Sequence, residues 1–515
     1  MTRVGRRRGR PGARADLAGP LAWLLVAIGL GLVALLASAD AVLAPGAAAL
    51  ATSALVATLT ACNVHGMRRA LVAPSMLFLA ALTVFHLGMV VPVALGVAEP
   101  APWLASADPD LVTRAVLSVA LTVVAYELGC LAGWRTIRAR PGRPGRGRDV
   151  VPVATVGSAP RGAPRPAPVR RGNVFHSGGL LVAGGAAAAI LANVASIGAG
   201  RFFSASYGYA LYAATDSRLL LTAFYWLLPT SALVTLVGAR PGRETVRALG
   251  LLALVTTLLL WAGDRGGAVS LLSAAVVVWT AMRGPLPRKL VVPGALGLLL
   301  LMPVVATLRQ LPRNGLDLEA IAAAATEASP VGALTEMGGS LRTLVETIRL
   351  VPEVTPYRLG GSYLDAALRI VPNVGLDKAS HDWSDPASLP PNHWITYMVA
   401  PWAYASFGGL GFSAIAEPYL NFGLAGVVVY FFALGAALGW LDGALTRAPS
   451  RRFLAITAVV FMPLLVTVRN DFHNFLRPAA WGAGIVLLVE HVHGDRRART
   501  RRMRPPVTIR AAEAA

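Results

Sequence analysis

Apolar residues run through this chain in unbroken stretches, separated by short basic or Gly/Pro-containing turns. Runs long enough to cross a hydrocarbon core of ~30 Å fall at 18–38, 42–63, 72–97, 113–134, 178–198, 218–238, 247–263, 266–282, 290–308, 424–441, 453–468 and 478–493. The pattern predicts an all-α polytopic integral membrane protein of about twelve transmembrane helices, grouped as 18–134, 174–308 and 424–493. Four other segments depart from it: a tail over 1–17, a loop over 135–173, a long insertion over 309–423 and a tail over 494–515.

Composition agrees. The 515 residues are 55% hydrophobic and 14% charged, with mean hydropathy +0.59, whereas soluble proteins carry about 25% charged residues. The net charge of +21 is an orientation signal, not a nucleic-acid footprint. With the N-terminus inside, most Lys and Arg fall in cytoplasmic segments, as the positive-inside rule requires. Examples are Arg6–Arg8, Arg68 and Arg69, and Arg447 with Arg451 and Arg452; the first outer loops carry Glu99, Asp108 and Asp110. Both termini are therefore expected on the cytoplasmic side of the cytoplasmic membrane, with an uncleaved first helix.

The 135–173 loop is rich in Pro, Gly and Arg, a composition that cannot bury enough apolar surface to order itself. Cys62 and Cys130 are too few for a disulfide framework or a metal site. No internal repeat is visible, which disfavours transporter folds built from paired halves.

The 309–423 insertion is expected to be extracytoplasmic and partly folded. Residues 316–328 are Ala-rich and helix-prone. Ser329-Pro330 reads as a cap followed by proline at the first helical position. Leu334, Met337, Leu341, Leu344 and Ile348 then mark one apolar face, suited to the membrane surface or to the bundle. Eleven aromatic residues between Tyr357 and Phe422 argue for an ordered loop.

Candidate chemistry gathers at the outer boundary. Arg201, Arg265, Arg309, Arg313, Arg469 and Arg477 lie at the outer ends of spans. A guanidinium fork matches phosphate oxygens and keeps its charge, although arginines at helix ends also snorkel to lipid headgroups. Glu417, His393, Asp471 and His473 are candidates for taking a proton from an acceptor hydroxyl. Glu417, just before the tenth span, has an electrostatic role open to it as well. His381 and His393 lie among Trp383, Trp394, Tyr397, Trp402 and Tyr404, which suit sugar stacking or an interfacial belt. Glu127, within a span, has no evident partner and reads as structural. Asp382 and Asp385 are too sparse for a metal site, and no nucleotide-binding loop occurs; neither cofactor nor metal is expected.

The run Gly409-Leu410-Gly411-Phe412-Ser413-Ala414-Ile415-Ala416-Glu417-Pro418-Tyr419-Leu420-Asn421-Phe422-Gly423 resembles the signature of Wzy-type O-antigen polymerases. Gly360-Gly361-Ser362-Tyr363, Ile370-Val371-Pro372, Gly263-Asp264-Arg265-Gly266, Arg469 and Asp471 are similar to that family's other pieces. The resemblance implies a GT-C-like membrane glycosyltransferase that joins undecaprenyl-diphosphate-linked oligosaccharide units on the outer face of the cytoplasmic membrane. Arg265, Arg309 and Arg469 would hold the diphosphate and Glu417 would be a candidate base. Arg201, Tyr363, His393, Tyr419, Asn421, Asp471, His473 and Arg477 would bind substrate or shape the site. Implied partners are the lipid-linked oligosaccharide, membrane lipid, a flippase and a chain-length regulator. An O-antigen ligase is the alternative within the class, and a lipid-linked sugar transporter the one outside it.

Overall fold

The computed structural model describes residues 18–38, 43–66, 69–138, 174–198, 222–287, 329–371, 385–405, 408–447 and 449–502, with isolated positions between 289 and 326. Every regular element among them is helical. In chain order these are α1 (Ala18–Ala37), α2 (Pro45–Ala61), α3 (Pro74–Leu87), α4 (Pro109–Arg138), α5 (Val174–Ile197), α6 (Leu228–Gly238), α7 (Arg243–Trp261) and α8 (Arg265–Arg283). There follow α9 (Pro330–Met337), α10 (Ser340–Leu350), α11 (Gly361–Leu368), α12 (Pro391–Val399), α13 (Ala416–Leu445), α14 (Arg451–Val466) and α15 (His473–Arg502).

Nine helices among the described residues are long and apolar enough to cross a membrane, and the protein is a multi-pass membrane protein. Two further expected spans are shorter apolar helices, Pro74–Leu87 and Thr222–Gly238. The first stops at Gly88, after which the chain forms the brief helix Val90–Ala94. The described part of the second opens with a π-helical turn, Thr222–Leu227. Pro229 follows, and its missing N–H and bulky ring disfavour the ordinary helical register there. The expected span over 290–308, the Ala-rich stretch over 316–328 and most of the 135–173 loop lie outside the described residues.

The most extensive helix pair is α4 with α13, and glycine makes it possible. A Cβ on Gly129 would sit 2.0 Å from Phe432 O, and one on Gly133 2.0 Å from Ala436 O. Reciprocally, a Cβ on Gly435 would sit 2.0 Å from Tyr126 O and one on Gly439 2.3 Å from Cys130 O. Four-residue spacing puts each pair on one helix face, so the two backbones touch, as small-residue motifs in membranes allow. By contrast, α1 and α5 present most of their surface outward.

Glu127 has partners that the sequence did not reveal. Its Oε2 accepts from Asn63 Nδ2 at 3.1 Å and lies 3.8 Å from Arg69 Nη1. Nearby, Asp442 accepts from the Ser75 amide at 3.2 Å and from its hydroxyl, while Tyr126 Oη donates to Ser75 O at 2.8 Å. This polar cluster ties the α2–α3 turn to the α4–α13 pair. Buried charges inside a bundle need such compensation.

The capping signal at 329–330 is realised. Ser329 Oγ accepts from Gly332 N at 2.9 Å, with Pro330 opening α9. The apolar face faces the bundle: Leu341 and Leu344 are fully buried, and α10 packs on α4, α13 and α3. Gly338 separates α9 from α10, and a Cβ there would meet Met89 N at 2.2 Å. That close approach seats the α9–α10 junction on the end of α3.

Candidate functional site

The site is assembled where α13 begins. Ser413 caps this helix by accepting from Ile415 N at 3.1 Å and Ala416 N at 3.2 Å. Its hydroxyl lies 2.7 Å from His86 Nε2, and His86 Nδ1 lies 2.9 Å from Leu82 O. A carbonyl only accepts, so Nδ1 carries the proton and Nε2 accepts from Ser413. Phe412 N donates to Arg469 O at 2.8 Å, which pins this segment to the turn Thr467–Arg469. Gly411 has φ +76°, and a Cβ there would meet Arg469 O at 2.9 Å.

These constraints place Glu417 in the first turn of α13, almost fully buried. Its Oε1 accepts from Ser362 Oγ at 2.8 Å and its Oε2 from Phe472 N at 2.6 Å. Asn421, one turn on, donates to Ser362 Oγ at 2.8 Å and to Glu417 O at 2.9 Å, and accepts from Gly360 N at 2.9 Å. The backbone adds Arg358 N to Leu420 O at 3.0 Å and Leu359 N to Asn421 O at 3.1 Å. Residues 358–362, 417–421 and 471–472 thus form one hydrogen-bonded unit. The helical path then breaks at Gly423, with φ 62° and ψ −154°, so the long apolar run resumes at Leu424, where the sequence places the start of a span.

Asp471 is fully buried one residue from the Phe472 amide. It accepts from Asn392 N at 3.1 Å and from Asn474 Nδ2 at 2.7 Å. Arg358 interacts electrostatically with both Glu417 and Asp471. Its guanidinium donates to Leu389 O at 2.8 Å and lies 5.5 Å from the centroid of the Trp394 ring. Burial lowers its pKa, and Glu417, Asp365, Asp471 and Asp385 oppose that shift by their charge.

The Tyr363 ring stacks on Tyr430 at 6.2 Å and meets Phe472 edge-on at 5.2 Å. Among the described residues, its buried hydroxyl and the buried Nδ1 of His473 find no hydrogen-bond partner. Burial, then Glu417 and Tyr430, push the Tyr363 pKa up, so this phenol is a neutral donor beside the carboxylate. Unmet polar atoms in such a place are suited to a polar ligand, because leaving each one dry costs about 1–3 kcal/mol.

His393 packs edge-on against Tyr404 at 6.3 Å. Burial lowers its pKa from the ordinary 6.5; Asp471 opposes this and His473 adds to it. The folded chain therefore takes up this proton less readily than the unfolded chain. Stability is full above pH 6.5 and falls as pH drops from there toward the folded value. Thermal unfolding followed from about pH 7 to about pH 5 should show this loss, and His393→Gln should lessen it.

The predicted arginines that the structure describes have different neighbours. Arg265 follows Asp264, which caps α8 by accepting from Gly267 N at 2.8 Å, and its Nη2 is 2.7 Å from Glu336 Oε1. Arg469 lies beside Gly411. The Arg477 guanidinium sits 5.0 Å and 5.6 Å from the ring centroids of Trp226 and Trp481. Tyr419 is half-buried against the core. Arg201, Arg309, Arg313, His381, Asp382 and Trp383 lie outside the described residues. Among the described residues no group of three or more His, Cys, Asp or Glu is placed to hold a metal ion.

Sequence reasoning singled out Glu417, Asn421, Tyr363, Asp471 and His473, which share one neighbourhood. It missed Arg358, and it quoted Ser362 only inside a motif. The signal for Ser362 was its place beside paired glycines, of which Gly360 adopts φ +90° and lets the chain fold back onto α13.

The profile of the family described as O-antigen polysaccharide polymerase Wzy matches residues 202–492. No curated protein matches the chain, and no solved structure does. The matched region carries Glu417, Ser362, Asn421, Asp471 and Arg469 and leaves out α1 to α5, although α3 and α4 pack on α13. With more than half of its length covered by that profile, the chain belongs to the O-antigen polysaccharide polymerase Wzy family.

Proposed function

We propose that this protein joins polyprenyl-diphosphate-linked oligosaccharide repeat units on the outer face of the cytoplasmic membrane, with both of its termini inside. The observation that carries this reading is the buried Glu417 carboxylate, held by Ser362 and Phe472 beside the unmet hydroxyl of Tyr363. In the proposed step the acceptor sugar hydroxyl gives its proton to Glu417 while its oxygen attacks the anomeric carbon of the donor unit. The new glycosidic bond forms as the bond from that carbon to the lipid diphosphate breaks. The departing diphosphate takes the electron pair, and guanidinium groups stabilise its charge. Arg265, Arg309 and Arg469 are assigned that task, with Arg201 and Arg477 as further phosphate or sugar contacts.

Asn421 is assigned a positioning role, since its donors and its acceptor are already engaged by Ser362, Glu417 and Gly360. Tyr363, His393, Tyr419, Asp471 and His473 are assigned to the sugars. Membrane lipid surrounds the bundle, and a flippase and a chain-length regulator are the expected protein partners.

The test is purified protein in vesicles supplied with lipid-linked repeat units. Products should lengthen while still attached to the polyprenyl carrier. Growth on a different acceptor would instead favour a ligase, and carrier-linked sugar crossing the vesicle without new glycosidic bonds would favour a transporter. Arg469→Ala keeps the backbone carbonyl that anchors Phe412, so the variant should insert normally yet yield only single units. An unchanged chain-length distribution would remove Arg469 from the mechanism.

A further inference from the structure

The side chains of Asn421, Ser362 and Glu417 are joined by hydrogen bonds whose direction is fixed. The Gly360 amide can only donate, so the Asn421 atom 2.9 Å from it is the carbonyl oxygen Oδ1. The Glu417 backbone oxygen can only accept, so the Asn421 atom 2.9 Å from it is Nδ2. Two backbone groups thus hold the Asn421 amide in one orientation, and Nδ2 also donates to Ser362 Oγ at 2.8 Å. The Ser362 hydroxyl, accepting on its oxygen, sends its own hydrogen to Glu417 Oε1 at 2.8 Å. From the other side the Phe472 amide, again only a donor, meets Oε2 at 2.6 Å. Asn421 is wholly buried, and Glu417 and Ser362 are 3% and 6% exposed, so solvent has little access with which to rewire this chain.

Both carboxylate oxygens therefore face donors, and a donated hydrogen bond favours the charged form of a carboxyl group. A carboxylate offers about four acceptor positions, so lone pairs remain for a proton from a sugar hydroxyl. We infer that Ser362 is a positioning residue for the transfer: oriented by Asn421, it holds Glu417 ionised and ready to take a proton. This rests on the proposed reading of Glu417 as the base. Arg358, Asp471, Tyr363 and Tyr430 also interact electrostatically with Glu417 and are common to all the variants below.

The experiment follows the rate of chain growth on lipid-linked repeat units against pH. It uses the purified full chain in vesicles, with thermal unfolding of each preparation recorded alongside. Wild type, Ser362→Ala, Ser362→Cys, Asn421→Asp and Glu417→Gln are compared. A base works ionised, so the rate climbs as pH rises through its apparent pKa. Ser362→Ala removes a donor to a charged group, so its acid limb should lie roughly one pH unit higher. That is a loss of about tenfold on this limb, shrinking toward alkaline pH. Ser362→Cys, whose thiol donates weakly, should shift by less. In Asn421→Asp the new carboxylate turns an acceptor toward Ser362 and draws its hydrogen away from Glu417. This limb should rise at least as far as that of Ser362→Ala. If Ser362→Ala loses the same factor at every pH, or nothing, while Glu417→Gln is inactive, Ser362 is a structural link only: the inference fails and Glu417 stays the base. A fully active Glu417→Gln takes down both. Should Ser362→Ala not fold, Ser362→Cys decides, and an acid limb there coincident with wild type overturns the inference.

Discussion

Glu417→Gln is expected to leave an inserted, folded protein that has lost polymerisation by about two to four orders of magnitude, the usual worth of general base catalysis. The substitution isolates chemistry from structure. The glutamine carbonyl oxygen can still accept from Phe472 N, and the amide can face Ser362, whose hydroxyl rotates to accept. The three segments joined at this point therefore stay joined. What is lost is the ability to take a proton from a sugar hydroxyl. Chain-length analysis of carrier-linked product, with thermal unfolding as a control, reads both consequences. Full activity with a normal melting profile would reduce Glu417 to a clamp holding residues 362 and 472, and the base would have to be sought among the neighbouring groups.

Gly435→Leu should abolish the folded protein altogether. Its new Cβ alone would lie 2.0 Å from Tyr126 O, a backbone atom that cannot move without displacing α4. Ordinary overpacking costs about 1–3 kcal/mol, and there the offending neighbour is usually a flexible side chain. Here two helices would have to separate along the seam that carries α13. Little monodisperse protein should survive size-exclusion chromatography, whereas Leu at Gly250, where nothing lies within 4 Å, should be tolerated. A well-behaved Gly435→Leu protein would show that the two helices need not touch.

Much of the bundle was legible because crossing a bilayer demands long apolar runs, and length alone finds them. Broken helices were not. Gly88 interrupts a run that hydropathy reads as continuous, since averaging over a window hides a single residue without a side chain. Around the site, the signature run from Gly409 to Gly423 pointed to Glu417 and Asn421. What each does depends on partners far away in the chain, and spacing carries no record of those. Glu417 meets Ser362 and Phe472, each 55 residues distant, one on either side. Asn421, read as shaping the site or binding sugar, ties a loop to a helix. Glu127 looked alone because Asn63 and Arg69 come from another helix and its following turn. The arginines were visible as charges at span ends, but Arg265 pairs with Glu336, and no local pattern foretells a contact between a tight turn and a helix 71 residues away.

The glycine-lined contact between α4 and α13 has a bearing on how a lipid carrier travels. Where backbones meet with no room for a methyl group, an isoprenoid tail, broader than any methyl, cannot slip through. That seam is a closed wall along its length. A carrier whose head reaches Glu417 from the bilayer must therefore thread in along some other flank, and the polymer it leaves behind must depart without ever parting these two helices.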